Sequence, residues 1–333
     1  MSQSDLLGPW VRRFLVEYLV LERNLSGNTQ RSYRDALRLA LPFMAKEARK
    51  RIDRLVVDDV TADRVRLFLQ NLEDARSCGI ATRNQRLTAI HSLARYISAH
   101  SPEHLAWSYD VGSISFKRTH TRLVPYLEKR EMDAILAAPD RMTRLGERDH
   151  ALLLFMYNTG ARAQETASIT VADLDLPKRG RPNVRIVGKG RKERRCPLWS
   201  RTAAVLRSLV GSQTIDKQVF LNRRGESMTR FGIYEIVERH ARRAAQRVSS
   251  LANKRVSPHT IRHTTATHLL RAGVDINTIR CWLGHASLDT TNVYAEVDLK
   301  MKADALAKCR ISPDRSGKRW QDDNDLMSFL RGL

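Results

Sequence analysis

The sequence has few cysteines, and their spacing forms no framework. Cys78, Cys196, Cys281 and Cys309 are scattered along 333 residues. They lack the close pairing of a zinc site or a disulfide scaffold, so we predict reduced thiols in a cytoplasmic protein. The opening stretch "MSQSDLLGPW" has no signal-peptide pattern, in keeping with that location. The longest apolar block, "ALLLFMY", is far below the roughly 18 residues of a membrane-spanning helix.

Cofactor motifs and negative charge are also scarce. The sequence has no G-x-x-x-x-G-K-[ST] loop for a nucleoside triphosphate and no carboxylate cluster for paired metal ions, so we predict that no cofactor is used. Only 36 Asp and Glu stand against 58 Lys and Arg, which gives a formal charge of +22. Such an excess favours a polyanionic partner, and nucleic acid is the first candidate.

Helical periodicity, and one break in it, predict two domains. Residues 1–107 show apolar side chains at helical spacing and no strand pattern. The segment 108–124 loses this periodicity and contains Gly112, several Ser and Thr, and four basic residues, which predicts a basic linker. A second domain is predicted over 125–310, followed by a C-terminal tail over 311–333.

One hairpin interrupts the helices of the second domain. The run "NVRIV" is followed by the turn "GKGRKE" and by "RRCPLW", which is typical of two antiparallel strands joined by a glycine-containing loop. The sequence therefore predicts a mainly α protein with a small β-hairpin.

A histidine-rich stretch begins at Ser257: "SPHTIRHTTATHLLRAGVDINTIRCWLGHASLDTTNVYAEV". Ser257 followed by proline predicts the start of a helix over 259–272, and the glycine after it predicts the end. A second helix is predicted over 276–283, and a third after "SLDTT". These helix ends would bring four polar side chains to one place: His259, Arg262, His285 and Tyr294.

Three interpretations of this cluster are open from the residues alone. It resembles a zinc site, because His259 and His263 are four residues apart, but Thr260 stands where the H-E-x-x-H pattern needs glutamate. Alternatively, the histidines are satisfied polar groups of a core. In the third interpretation the cluster surrounds a phosphate, whose charge under attack is bound by guanidinium groups while imidazoles manage protons near neutral pH.

Upstream segments contain the second cation and the acid that phosphate chemistry requires. "TGARAQE" places Arg162 just after a glycine, and Glu165 could hold the local turn or brace a neighbouring cation. In "GKGRKER", Lys189 occupies a glycine-flanked hairpin tip that can reach into a groove or cleft.

Four segments in this order, "TGARAQE", "VGKGRKERRCPL", "HTIRH" and "LGHASLDTTNVY", resemble the tyrosine recombinase family, which includes phage integrases and Xer-like recombinases. The resemblance extends over nearly the whole chain and ends at a correctly placed tyrosine. It implies a two-domain architecture, with an N-terminal helical core-binding bundle that clamps DNA over 1–107 and a mixed α/β catalytic domain over 125–310.

The resemblance also implies a role for each matching side chain. Arg162 and Arg262 would bind the scissile phosphate, and Tyr294 would be the nucleophile. Lys189 would be the general acid toward the leaving 5′ oxygen, with Lys192 as the alternative.

The remaining site residues would support this chemistry. His259 and His285 would assist proton transfer and charge stabilisation, whereas Glu165 would have a structural, supporting role. His263 has no assigned chemistry, and we interpret it as a packing residue.

Basic and polar residues outside the catalytic cluster are candidate DNA contacts. In the helical bundle these are Thr29, Arg31, Arg34, Arg83, Asn84 and Arg86. Near the hairpin, Arg191, Arg194 and Arg195 are interpreted as a solvated surface that faces phosphates. Each phosphate neutralised would steepen the salt dependence of binding by roughly 0.9 in a log–log slope.

The resemblance implies a site-specific recombinase that needs no cofactor. A 3′-phosphotyrosyl bond would conserve the phosphodiester energy, and four protomers would exchange strands at two double-stranded DNA sites through a Holliday junction. We predict a cytoplasmic, nucleoid-associated protein encoded by a bacterium or a mobile element, and residues 311–333 as an inter-protomer docking segment. Two alternatives are a type IB topoisomerase, which would reseal the same strand, and a non-cleaving DNA-binding regulator.

Overall fold

The computed structural model describes residues 6–119, 125–188, 190, 192–211 and 213–284. The chain divides into two compact units, Met1–Thr121 and Arg122–Leu333. Both units are mostly helical, and the second also contains a small antiparallel sheet. This architecture confirms the predicted fold class. Within the part of the chain that is described, none of the helices combines the length and the apolar character of a bilayer-spanning segment.

Over residues 6–119, the N-terminal unit contains five α-helices. Two of these helices begin at a capping residue, Ser26 or Thr61. In each case the side-chain hydroxyl oxygen accepts a hydrogen bond from a backbone N–H group in the first turn of the helix. A π-helical segment, Phe14–Glu22, continues the first helix. The helices are α1 (Leu7–Arg13), α2 (Gly27–Glu47), α3 (Ala62–Asp74), α4 (Ile80–His100) and α5 (Leu105–Gly112).

The core of this unit follows from helical periodicity. On α3, the four apolar residues at spacings of three and four, Val65, Phe68, Leu69 and Leu72, are all buried. They pack into one cluster with Phe14 and other apolar residues of the unit.

The segment predicted as a linker begins later than expected. Residues 105–112 form α5, and Val111 and Ile114 belong to the core of the N-terminal unit. The sequence pattern missed this because the helix is short and its buried side chains are few. An extended stretch starts after Ile114, and Arg83 and Asn84 bind its backbone: the Arg83 Nη1 donates to the Ser115 carbonyl oxygen at 3.1 Å.

The C-terminal unit contains seven α-helices in its described part. They are α6 (Lys129–Ala137), α7 (Arg144–Thr159), α8 (Ala163–Ser168), α9 (Ser200–Val210), α10 (Arg230–Ala245), α11 (Pro258–Arg271) and α12 (Ile276–Leu283). Every residue of α7 from Arg148 to Thr159 is buried. Helix α11 packs directly on α7, so two helices from distant parts of the sequence form the centre of this unit.

The predicted hairpin is present and has a third strand beside it. Strands β1 (Leu174–Asp175), β2 (Asn183–Val187) and β3 (Glu193–Pro197) pair antiparallel in that order. Opposite residues include Val184 with Cys196 and Ile186 with Arg194. Val184, Ile186 and Cys196 are fully buried, so this face of the sheet lies on the core.

Gly160 ends α7 in a conformation that only glycine adopts without strain. Its φ is +61°, and a methyl group at this position would lie 2.4 Å from Cδ2 of Leu283, at the end of α12. We expect Gly160→Ala to lower the free energy of unfolding by about 2–4 kcal/mol, from backbone strain and overpacking together.

A matched variant separates these two effects. Gly273 has φ +85° and open space around the added methyl, so Gly273→Ala should cost only the backbone strain, about 1–2 kcal/mol. Urea unfolding of both variants measures the difference. If both variants lose the same free energy of unfolding, the Leu283 side chain moves away from the methyl group at position 160 without a cost of its own.

Candidate active site

The first two of the three helices predicted for the histidine-rich stretch are confirmed, and the third lies outside the described residues. Helix α11 covers Pro258–Arg271, and the Ser257 hydroxyl accepts a hydrogen bond from the Thr260 amide at 3.2 Å. Helix α12 covers Ile276–Leu283 and ends at Gly284, which has φ +65°. A serine cap with proline at the first position and a left-handed glycine at the end account for these boundaries.

Arg262 joins the ends of two other helices. Its side chain is 1 % exposed. Nη1 donates to the Gly160 carbonyl oxygen, and Nη2 donates to the Leu283 carbonyl oxygen, both at 2.7 Å. Carbonyl groups at a helix C-terminus lack partners in their own helix and carry partial negative charge. The guanidinium therefore satisfies α7 and α12 together and is held in a fixed position.

Arg162 stands at the start of α8, and Glu165 holds it there. Oε2 of Glu165 accepts from the Arg162 backbone amide at 2.9 Å, and Oε1 accepts from Arg162 Nη1 at 2.7 Å. The Arg162 side chain is 41 % exposed, so the guanidinium remains accessible while one edge is anchored. These contacts are those expected of a residue that holds the turn and braces a cation, as predicted for Glu165.

Arg194 is the residue that the sequence placed wrongly. The sequence predicts a solvated residue that faces phosphates, yet the Arg194 side chain is only 9 % exposed. Nη2 and Nη1 bind Oε2 and Oε1 of Glu165 at 2.7 and 3.3 Å, and Nε donates to the Trp282 carbonyl oxygen at 2.9 Å. Arg194 thus connects β3, α8 and the end of α12.

The Glu165 carboxylate is held ionised by this arrangement. Burial alone would raise its pKa, but the hydrogen bonds and charges of Arg194 and Arg162 outweigh burial and lower the pKa below its ordinary value of 4.5. Four N–H groups donate to the two oxygens, so this buried charge is fully compensated.

Arg162, His259 and Arg262 line one cavity of about 380 Å³. Its remaining wall comes from the start of α8, the start of α10 and the cap of α11: Ala163, Arg230, Phe231, Tyr234, Ser257 and Pro258. Burial, followed by the charges of Arg262 and Arg162, lowers the pKa of His259 below its ordinary value of 6.5. The lowered pKa favours the neutral imidazole, which can accept a proton.

His263 contacts His259 directly. Their Nε2 atoms are 2.8 Å apart, a hydrogen-bond distance. Two nitrogen ligands of one tetrahedral zinc ion would be separated by roughly 3.3 Å, given Zn–N distances near 2.0–2.1 Å. The pair is therefore arranged to share a proton, and the zinc interpretation has no geometric support at these two histidines.

Four of the predicted site residues lie outside the described residues: Lys189, Arg191, His285 and Tyr294. Their chain neighbours are placed. The hairpin that carries Lys189 closes through the Gly188 amide, which donates to the Lys192 carbonyl oxygen at 2.8 Å. Gly284, immediately before His285, packs against Arg194.

The candidate DNA contacts of the N-terminal unit differ in their surroundings. Arg31 and Arg34 on α2 are exposed, with Asn28 and Asp35 as their respective side-chain partners. Arg83, by contrast, is 6 % exposed and holds the segment after α5. This geometry disfavours a direct contact between Arg83 and a phosphate.

Thr29, Asn84 and Arg86 are partly buried. Asn84 donates to the Lys117 carbonyl oxygen at 2.8 Å and accepts from the Lys117 amide at 3.1 Å. Arg86 donates to the Ser32 carbonyl oxygen at 3.3 Å. Asn84 therefore shares the structural role of Arg83.

Family models match both units of this chain. The model of the phage integrase family matches residues 125–301, and that of the phage integrase N-terminal SAM-like domain matches residues 11–100. The chain belongs to the phage integrase family. This confirms the resemblance seen in the sequence, and membership makes the protein an enzyme, a tyrosine site-specific recombinase.

Relatives in this family are similar along their whole length. A putative integrase/recombinase of Sinorhizobium fredii is 40 % identical over 335 residues, covering 100 % of both chains. The tyrosine recombinase XerC of Pelobacter propionicus is 32 % identical and covers 85 % of this chain and 89 % of its own. The type IB topoisomerase alternative finds no support in these comparisons.

Solved structures share the fold of this phage integrase family member. The XerH site-specific recombinase bound to a palindromic difH substrate superposes with a TM-score of 0.66 at 22 % identity, covering 86 % of this chain and 81 % of that one. The Tn1549 transposon integrase bound to transposon right end DNA gives 0.67 at 16 % identity, covering 89 % and 98 %.

Proposed function

We propose that this recombinase cleaves double-stranded DNA by attack of Tyr294 on a phosphate held by Arg162 and Arg262. The observation that carries the proposal is the convergence of these two arginines and His259 on one cavity. A phosphodiester under attack gains negative charge, and fixed guanidinium groups stabilise that charge without reorganisation. Family membership adds the tyrosine nucleophile.

The remaining roles complete the reaction. Lys189 protonates the leaving 5′ oxygen, while His259 and His285 assist proton transfer and stabilise charge. Glu165 holds Arg162, as its hydrogen bonds support. The product is a 3′-phosphotyrosyl bond, which a 5′ hydroxyl of another strand attacks to rejoin the DNA, so the exchange needs no external energy source.

Double-stranded DNA is the partner that this charge favours. The formal charge of +22 supports binding to the phosphate backbone. Among the residues of the N-terminal unit, we assign Thr29, Arg31, Arg34 and Arg86 to direct contacts, and we give Arg83 and Asn84 the task of holding the segment at Ser115 and Lys117. Arg191 is assigned to the DNA-facing side of the hairpin.

Assembly follows the same proposal. Two protomers bind one recombination site, and four protomers form the synaptic complex, with residues 311–333 docking on a neighbour. That tail lies outside the described residues. We place the protein in the cytoplasm, associated with the nucleoid.

The test is to map covalent protein–DNA junctions across a bacterial genome after expression, and then to supply the recovered site as paired duplexes. Recombinant products, protein attached to a 3′ phosphate, and stepwise gel shifts to a four-protomer complex are the expected results. Relaxation of supercoils without exchanged strands would indicate a topoisomerase. Binding without any junction would indicate a DNA-binding regulator.

Lys189 is tested by changing the leaving group. We expect Lys189→Ala to slow cleavage of normal DNA by about 100- to 10,000-fold, because a general acid typically contributes that much, and to slow a 5′-bridging phosphorothiolate far less, because a sulfur leaving group needs little protonation. Single-turnover cleavage rates on the two substrates measure this. Lys192→Ala is the matched control, and a rescue confined to that variant would reassign the acid to Lys192.

A further inference from the structure

The His259–His263 pair constrains where the protons of His259 lie. The residues are one turn apart on α11, their rings are nearly perpendicular at 82°, and the ring centroids are 4.2 Å apart. Since both Nε2 atoms take part in one hydrogen bond, one nitrogen must carry the proton and the other must accept it. His263 is 7 % exposed, so the surrounding core fixes its ring.

The other nitrogen of His259 is the one that remains for the substrate. His259 lines the cavity beside Arg162 and Arg262. Within the described part of the chain, its Nδ1 makes no hydrogen bond, and Nε2 is the ring nitrogen bonded to a neighbouring side chain. Substrate contacts of His259 therefore pass through Nδ1.

The charges around the cavity favour one of the two tautomers. Arg162 on α8, Arg262 on α11 and Arg230 on α10 present positive charge to the same space, and Tyr234 adds a phenol. A lone pair directed toward cations is electrostatically better than an N–H group. These charges favour the tautomer in which His259 Nδ1 is unprotonated and Nε2–H donates to His263 Nε2.

We propose that His263 is a positioning residue for strand cleavage: by accepting the hydrogen bond of His259 Nε2–H, it fixes the ring and leaves Nδ1 of His259 as the proton acceptor facing the scissile phosphate. This rests on the function proposed above. When Nδ1 takes up the proton that the Tyr294 hydroxyl releases as its oxygen attacks the phosphorus, the bond to His263 becomes charge-assisted and stronger, which stabilises the imidazolium at the moment it forms. A similar orienting partner is found for catalytic histidines in other enzymes.

Substitutions that differ only in the acceptor test this role. We expect His263→Leu to slow single-turnover cleavage at saturating DNA by about 10- to 100-fold, the usual effect of removing an orienting hydrogen bond. His263→Gln keeps an oxygen acceptor and should stay within about threefold of the wild-type rate, because only the strength of one hydrogen bond changes. DNA affinity should be unchanged in both.

The pH profile separates positioning from packing. Removing the acceptor disfavours charged His259, so the rising limb of cleavage against pH should move to lower pH in His263→Leu and stay in place in His263→Gln. His268 is the matched control: it is a largely buried histidine on the same helix, hydrogen-bonded to Tyr157, and His268→Leu should leave the limb unmoved. A limb that moves equally in all three variants, or in none, would overturn the proposal.

The tautomer of His259 can be measured without a catalytic assay. In protein labelled with ¹⁵N-histidine, His259 should show a protonated Nε2 and an unprotonated Nδ1, and His263→Leu should abolish that preference. A protonated Nδ1 in the wild type, or an unchanged tautomer in His263→Leu, would contradict the proposal even if cleavage is normal. If the wild-type protein forms no covalent adduct at all, the proposed function fails. If the adduct forms but His263→Leu leaves the tautomer and the pH limb unchanged, only the role of His263 fails.

Discussion

Tyr294→Phe is expected to abolish the covalent protein–DNA adduct while DNA binding stays within about twofold of the wild type. The substitution removes one hydroxyl and preserves the ring, so contacts with the DNA backbone, which dominate affinity, are kept. Without the hydroxyl no phosphotyrosyl bond can form. The measurement is denaturing gel electrophoresis of end-labelled DNA carrying the mapped site, with affinity from gel shifts.

Tyr234 supplies the competing assignment. It is the tyrosine that the described structure places on the cavity with His259 and Arg262. Tyr234→Phe should still form the adduct. An adduct that persists in Tyr294→Phe but is lost in Tyr234→Phe would make Tyr234 the nucleophile and would overturn the mechanism proposed here.

Glu165→Leu is expected to lower the free energy of unfolding of the C-terminal unit by about 3–5 kcal/mol, because it leaves the buried Arg194 charge without its partner. The double variant Glu165→Leu/Arg194→Met should cost clearly less than the sum of the single variants, since it removes both charges of the pair. Urea unfolding gives the free energies, and hydrogen exchange in α8 and β3 localises the loss. Additive costs would show that the two side chains do not stabilise each other.

The same pair predicts a pH dependence of stability. The pKa of Glu165 is lower in the folded state than its ordinary value, so its contribution is fully present above pH 4.5 and is lost as the pH falls through the folded-state pKa. Glu165→Gln removes this titration while keeping an oxygen acceptor for the Arg162 amide. The stability of the wild type should therefore approach that of Glu165→Gln as the solution becomes acidic.

Local sequence patterns were sufficient to predict helix boundaries where the residues at one helix end determine the structure. The boundaries of α11 and α12 follow from a serine–proline start and glycine ends, which act within a few residues. The hairpin and the Arg162–Glu165 contact are similarly local. The order of the four motifs indicated the family, which no single motif could do.

The burial of Arg194 and of Arg83 is not anticipated from the sequence when charge is given more weight than periodicity. In β3, Arg194 is two residues before buried Cys196 and opposite buried Ile186, so strand alternation places it on the inner face. On α4, Arg83 precedes Leu87 and Ile90 at helical spacing and shares their buried face. In both cases the periodicity of the sequence indicated burial. The groups that bind the buried guanidinium come from distant segments, Glu165 for Arg194 and Ser115 for Arg83.

The contact between His259 and His263 could not be derived from spacing alone. Residues four apart on a helix share a face, which is why a metal pair was one reading of the sequence. Only the distance between the ring nitrogens distinguishes a shared metal from a shared proton.

Two hydrogen bonds of Arg262 end on main-chain oxygens, at Gly160 and Leu283, and this affects how the recombinase can change over evolution. A side-chain acceptor is lost by one substitution, whereas a carbonyl oxygen is present whatever residue occupies the position. The acceptors persist as long as α7 and α12 end where they do, and both helices end at left-handed glycines. Divergence in α7 and α12 can therefore proceed at many positions without disturbing the phosphate-binding arginine, whereas exchange of either terminal glycine would disturb it from outside the site.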